Sequence, residues 1–362
     1  MQSRPFSPRA FWLVLAVVFG LACAPGASPA AQPAPAAKPP AGAAAPTTQA
    51  APGAPTQPAA LEPLTAAQVS ITGNYLPFAY VADKKGFYAQ NGLELELIVT
   101  DSSNKVVQAV TGGSADLVWT APDAAILAIE QGAPLAIVAG GQNAIPYSLI
   151  VQPSIKSFAD LRGKTLGTSS LTSGATVIIR KMMGANGLRD NDYDIVPAGG
   201  TAERYAAIRS GAVDGGLLLQ PEDYMIMAEG FPRLAYATDY VPKYQWITMV
   251  VNKNWARDNE DKLVRALRAI DEAYRWVYDP RNRDEAIALI TETTKAPEAI
   301  ARSTYELYVD QLKIWPTAGE VDDVALRAVI ELMGELGQLS APLPEPSRYI
   351  DPSYLRKAQA GS

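Results

Sequence analysis

Ala109-Val-Thr-Gly-Gly113-Ser-Ala-Asp116 and Ala207-Ile-Arg-Ser-Gly211-Ala-Val-Asp214 stand 98 residues apart and share Ala, Gly and Asp at the same three places. Gly132 and Pro134 match Gly230 and Pro232 at the same spacing, and Asn91-Gly92-Leu93 matches Asn186-Gly187-Leu188 at a spacing of 95. Working outward, the first unit reads as strand (Val69–Thr72), helix (Phe78–Asn91, ended by Gly92), strand (Leu95–Val99), helix (Lys105–Val110) and strand (Asp116–Trp119). The second reads as strand (Thr165–Gly167), helix (Gly174–Asn186, ended by Gly187), strand (Asp194–Val196), helix (Glu203–Arg209) and strand (Asp214–Leu219). Strands separated by single helices imply parallel pairing with right-handed crossovers. Two such units imply an α/β protein of two similar lobes. Ligands of open parallel sheets sit beyond the carboxyl ends of the strands, so two facing lobes would share one cleft and close on it by a hinge.

Composition narrows the chemistry. The chain has 362 residues, 31 Lys and Arg, 37 Asp and Glu, one Cys and no His. Its acidic residues all lie at or after Glu62, so the 28 basic residues beyond that point leave a formal charge of −9 there. A nucleic-acid groove needs clustered positive charge, and none is expected. Without His, neither imidazole acid–base chemistry nor Ser-His-Asp or Cys-His nucleophiles are available. One Cys makes neither an intrachain disulfide nor a Cys-rich metal site. No catalytic residue, metal or cofactor is expected.

Residues 1–23 read as an export signal: Arg4 and Arg9, then the uncharged run Phe11–Ala22, then Cys23. That run is roughly 18 Å long as a helix, too short for a bilayer core of ~30 Å. A Cys directly after the apolar core resembles a lipoprotein signal, with Cys23 as the lipidated residue; cleavage after Ala22-Cys23-Ala24, which would discard the Cys, is the alternative. Residues 24–61 are almost wholly Ala, Pro, Gly, Ser, Thr and Gln, with Lys38 as their charge. Such a stretch buries too little apolar surface to offset its ordering entropy, so 24–62 is expected to be a linker with a coil reach of roughly 35 Å.

Four features, two of them new, carry a resemblance. They are Lys85-Gly-Phe-Tyr-Ala-Gln-Asn-Gly-Leu93, the 109–116 stretch, Phe158-Ala-Asp-Leu-Arg-Gly-Lys-Thr165 and the 207–214 stretch. In this order and spacing, from Val69 to Trp276, the chain resembles solute-binding proteins of ABC importers for nitrate, sulfonates, taurine and thiamine-precursor pyrimidines. The resemblance implies a type II periplasmic-binding-protein fold, a small-molecule solute, an ABC permease and ATPase as partners, no catalysis, and a monomer held outside the cytoplasm by its lipid. It implies crossovers near Ser148–Val151 and Trp246–Val251. The domains then run 63–150 for the first lobe, 151–247 for the second, 248–345 for a return to the first with C-terminal helices, and 346–362 for a tail. Leu263, Leu267, Ile270, Tyr274 and Val277 make one helical stripe in that return, and Val324 to Leu336 another. Relatives of this fold include enzymes that use a His or a Cys nucleophile. A ligand sensor for a receptor kinase is a further alternative to a transporter component.

Candidate ligand residues follow the strands. Tyr75 and Phe78 offer flat faces, or plain core packing. Ser102 and Ser103 would cap a helix or touch ligand, and Thr120 would offer a hydroxyl at the end of its strand. Gly167-Thr168-Ser169-Ser170-Leu-Thr172-Ser173-Gly174 is the richest loop, with hydroxyls and free N–H groups at a helix start that suit a sulfonate, carboxylate or phosphate; a polar loop with a capped helix is the plainer reading. Gln220 would hydrogen-bond the ligand. Glu222 would favour a cationic group, or cap its helix. Trp246, with Tyr75, suggests a flat or aromatic solute. No Arg stands in these loops, so a small polar organic molecule of the sulfonate, pyrimidine or aromatic-acid class is favoured over a bare oxyanion such as nitrate.

Overall fold

A computed structural model describes residues 60–171 and 173–360. The signal, Cys23 and nearly all of the linker lie outside the described residues, as does Thr172. The ten strands are β1 (Glu62–Val69), β2 (Leu93–Thr100), β3 (Leu117–Thr120), β4 (Leu135–Gln142), β5 (Ser148–Val151), β6 (Thr165–Thr168), β7 (Asp194–Pro197), β8 (Gly215–Leu218), β9 (Arg233–Tyr236) and β10 (Ile247–Asn252). They form two five-stranded sheets, in the orders β2-β1-β3-β10-β4 and β7-β6-β8-β5-β9. The two orders become one when β1 to β4 are laid on β6 to β9. In each sheet the fourth strand, β10 or β5, comes from the other half of the chain and runs antiparallel to its neighbours. The sheets are therefore mixed, where the alternation alone implied parallel pairing throughout.

The shared Gly and Asp have a physical task. Gly113 and Gly211 close their helices at φ 77° and 76°, the left-handed region glycine enters without Cβ strain. Three residues later the acid locks two strands. The Thr65 N–H donates to Asp116 Oδ2 at 3.2 Å while the Asp116 N–H donates to the Thr65 carbonyl at 2.8 Å. Thr165 and Asp214 repeat this at 2.9 and 2.8 Å.

The chain crosses between the sheets in residues 143–147 and 237–246. A first break after residue 150 would cut β5, which pairs wholly in the second sheet. The first strand lies earlier than Val69–Thr72 suggested: its Ala-rich β1 stops at Val69, where Ser70 turns to φ 62°. The helix expected over Phe78–Asn91 is broken. Leu76–Val81 is a π-helix, α1 (Ala82–Lys84) follows, Gly86 interrupts at φ 72°, and α2 (Phe87–Gln90) ends it.

The remaining helices are α3 (Ser103–Gly112), α4 (Pro122–Glu130), α5 (Gly174–Ala185), α6 (Thr201–Ser210), α7 (Glu222–Ala228), α8 (Lys253–Asp258), α9 (Glu260–Tyr278), α10 (Arg283–Thr294), α11 (Glu298–Tyr305), α12 (Asp323–Glu335) and α13 (Ser353–Ala360). All five stripe residues of α9 are buried, in the core on one face of the first sheet. Each such side chain contributes roughly 1.5–3 kcal/mol. A second core runs from the other face of that sheet (Ala67, Val118, Ile137) into the second lobe (Leu149, Leu166, Ile178, Leu217). α12 packs against both α4 and α5, so the returning chain touches both lobes and not the first alone. The segment expected as a tail is also structural. Ile137 and Tyr349–Asp351 exchange backbone hydrogen bonds, and α13 packs on α9 through Leu355 and Ala358.

Candidate functional site

The carboxyl ends of both sheets border one cleft of about 670 Å³. One wall is the end of β1 (Ser70, Ile71, Thr72), the end of β2 (Val99, Thr100, Asp101) and Lys105 of α3. The other is the start of α6 (Gly200 to Glu203) with Glu222 at the start of α7. Ser70 holds its left-handed backbone at this edge, conformational strain of the kind that collects at functional sites. Lys105 is paired to Asp101 at 2.6 Å, which leaves Glu203 and Glu222 as the net charge of the lining.

Arg204 builds the second wall from behind. It is fully buried, donates to the Leu217 and Gly199 carbonyls at 2.8 and 2.6 Å and to Thr201 Oγ1 at 3.3 Å, and lies over the Tyr147 ring. Its fork is spent on fixing the Gly199–Thr201 turn. Nothing in the sequence pattern singles it out.

Each lobe carries a group of buried polar side chains near Gly73. Gln68 Nε2 donates to the Ser70 carbonyl and the Tyr80 hydroxyl, both at 2.9 Å. Gln142 Nε2 and Trp315 Nε1 donate to the Asn74 carbonyl at 3.2 and 3.0 Å. From the second lobe, Gln220 Nε2 and Ser148 Oγ donate to Asp223 Oδ2 at 2.7 and 2.6 Å. Gly73 lies against the Gln220 carbonyl, Thr304 and Tyr308, and a Cβ there would sit 3.1 Å from the Thr304 methyl. Burial pushes the Asp223 carboxyl up to about 6 and that of Glu222 up to about 7. Among the described residues, the buried oxygens without a partner include Gln68 Oε1, Gln142 Oε1, Gln220 Oε1 and Glu222 Oε2.

The residues chosen from sequence separate into groups. Gln220 and Glu222 belong to the second lobe's group, and Glu222 lines the cleft. Tyr75 is buried beside it, its hydroxyl against the Val69 N–H and its titration driven up by burial. Thr120 is fully buried at the end of β3, with its hydroxyl unpartnered. Ser102 and Ser103 stand between Asp101 and Lys105 at the start of α3 without lining the cleft. Phe78 is corrected to core: its ring meets Trp119 at 5.2 Å and Tyr274 at 6.2 Å. Trp246 packs edge-on against Tyr147 at 5.0 Å in the second crossover rather than on the cleft wall.

The hydroxyl loop departs most from expectation. It bonds to itself: Thr168 Oγ1 lies 2.9 Å from Thr176 Oγ1, and Ser173 Oγ and Thr176 Oγ1 donate to the Ser170 carbonyl at 2.9 and 2.6 Å. Ser169 and Ser170 are exposed, and no described residue of the loop lines the cleft. The helix start behind it already holds an anion. Asp123, from the first turn of α4 in the other lobe, accepts from the Gly174 N–H at 3.3 Å.

A Brucella abortus (strain 2308) protein named only as a binding protein is 24% identical over 284 residues, covering 76% of this chain and 87% of the relative. The formylaminopyrimidine-binding protein of Halalkalibacterium halodurans is 25% identical over 230 residues, covering 60% and 67%. Among solved structures, the periplasmic nitrate-binding protein NrtA of Synechocystis PCC 6803 superposes with a TM-score of 0.70 at 15% identity, covering 83% of this chain and 89% of that one. The desulfurization enzyme DSZB superposes at 0.62 with 15% identity, covering 83% and 99%. The fold is thus the two-lobed one of periplasmic binding proteins, which also carries an enzyme. The family model described as NMT1/THI5 like matches residues 74–283, and the chain belongs to that family.

Proposed function

We propose that this chain is the solute receptor of an ABC importer, working outside the cytoplasm and held to the membrane through Cys23. The observation that carries the reading is the pair of equally ordered sheets whose carboxyl ends border one cleft, with the chain crossing between them twice. Solute contacts made by both walls exist together only when the lobes are closed, so a solute favours closure, and the closed form is what a permease would recognise. The receptor acts as a monomer and delivers a small polar organic molecule. The relative named for formylaminopyrimidine supports the pyrimidine part of the expected range, which also held sulfonates and aromatic acids. Binding without catalysis fits a chain with no His and with its one Cys in the signal region.

The test is a solute screen on the full chain, read by thermal unfolding and small-angle scattering. A solute at 100 times its Kd should stabilise the fold by ~2.7 kcal/mol and contract the particle. Stabilisation with turnover of the solute would replace the receptor reading with an enzymatic one. Cys23→Ser should move the protein from the membrane fraction to the soluble one; an unchanged distribution would remove the lipid anchor.

A further inference from the structure

Glu222 stands where the lobes meet. It opens α7 in the second lobe and lines the cleft opposite Ser70–Thr72 of the first. Its Oε2 is buried without a hydrogen-bond partner. The first lobe helps to bury it: α7 packs on α11, the Gly73 backbone lies against the Gln220 carbonyl, and Tyr80 and Tyr308 face the carboxyl. The buried Tyr308 hydroxyl bonds neither Glu222 nor Asp223. The charged groups nearby are engaged elsewhere or carry the same sign. Asp223, next in the chain, is a second acid with Arg233 at 3.8 Å. On α6, Arg204 is committed to the Leu217 and Gly199 carbonyls, Glu203 is a further acid, Tyr205 donates to Glu229, and Arg209 is paired with Glu229 at 2.6 Å. On α11, Arg302 is paired with Glu298 at 3.0 Å, and across the cleft Lys105 is held by Asp101 at 2.6 Å. A carboxyl in such a place favours its neutral form, and burial pushes this one up to about 7.

We propose that closure of the lobes is proton-linked: bringing them together buries Glu222 and takes up a proton there, so acid favours the closed receptor and mild alkali the open one. This rests on the solute-receptor reading and adds external pH to it as a regulator. Opening removes Tyr80, Tyr308 and the Ser70–Thr72 edge and returns the carboxyl to water, toward its ordinary value of 4.5. Between 4.5 and about 7 the closed form therefore holds a proton that the open form has released. The closed-to-open ratio falls as pH rises through that window. Asp223 does not share this role, because its bonds to Ser148 and Gln220 lie within the second lobe and survive opening. The linkage is reciprocal, so a solute that closes the lobes also strengthens the hold of Glu222 on its proton.

The experiment measures the distance between the lobes in the full chain without solute. Spin labels at Glu94→Cys on β2 and Ser210→Cys on α6, both exposed positions, report that distance by pulsed electron resonance in a Cys23→Ser background. A short distance should dominate at pH 5.5 and a longer one should grow by pH 8, with the closed-to-open ratio falling roughly tenfold or more. Glu222→Gln, similar in shape and uncharged, should keep the pH 5.5 distribution at both values. Its melting temperature checks its fold, and the labelled parent's own pH profile is a test that does not depend on that variant. A parent distribution that ignores pH, or a Glu222→Gln profile that follows the parent's, would overturn the inference. Either result leaves the receptor reading standing, since that reading is decided by the solute screen.

Discussion

Glu222 shows how one side chain ties the cleft to solution conditions. Burial raises its carboxyl from 4.5 to about 7, with Asp223 adding to the rise and Arg204 opposing it; Tyr80 and Tyr308 face it from the other lobe. Between those two values the folded protein holds a proton that the unfolded chain has released. Stability therefore falls as pH rises from about 4.5 through 7. Asp223, pushed up to about 6, has the same sign. Glu222→Gln removes the Glu222 share of the slope. The variant should match the parent near pH 4 and exceed it at pH 8, as measured by urea midpoints at the two pH values. Parallel profiles would show that Glu222 does not titrate in this range.

At the scale of elements, the Thr–Asp strand lock occurs once in each sheet, and the two copies differ in their surroundings. Asp116 also accepts from Lys262 at 2.8 Å, whereas the Lys164 contact of Asp214 is at 3.6 Å. Asp116→Ala should therefore cost more than Asp214→Ala, about 2–3 against 1–2 kcal/mol, because a hydrogen bond to a charged group is lost in each and a close cation is stranded in the first. The locks share no residue, so their costs should add within about 0.5 kcal/mol in a double variant followed by urea unfolding. Strong non-additivity would mean that the sheets do not unfold as separate locks. Truncation after residue 352 should likewise destabilise the protein, because α13 covers α9 with Leu355 and Ala358; an unchanged melting temperature would return that segment to the status of a tail.

These elements also explain what the sequence could and could not disclose. The strand–helix order was legible because a left-handed helix end demands Gly, as at Gly113 and Gly211, and because the lock demands a short acid three residues later. The site was mostly illegible. Gln68, Gln142 and Arg204 look like ordinary polar residues until tertiary approach buries them. The hydroxyl loop was over-read for a related reason: a helix start invites an anion, but sequence does not reveal that Asp123, fifty-one residues earlier, supplies it. Its only local mark was an acid just after Pro122, which reads as first-turn helix chemistry.

For the whole molecule, that Asp123 contact becomes an equilibrium constant. It links α4 of the first lobe to α5 of the second, on the side where α12 and the second core already bridge them. A hydrogen bond to an ionised acceptor is worth about 1.5–3 kcal/mol, and 1.4 kcal/mol is a tenfold change in a two-state ratio. If the bond forms only in the closed arrangement, Asp123→Ala should shift the solute-free protein toward the open one by at least tenfold. Scattering without solute should then report a larger radius of gyration than the parent, and saturating solute should restore the parent value. Apparent affinity should fall by the same factor, because closure now draws on binding energy. An unchanged radius together with unchanged affinity would mean that the bond persists through opening, which would make this contact part of the hinge and leave closure to the cleft wall around Glu222.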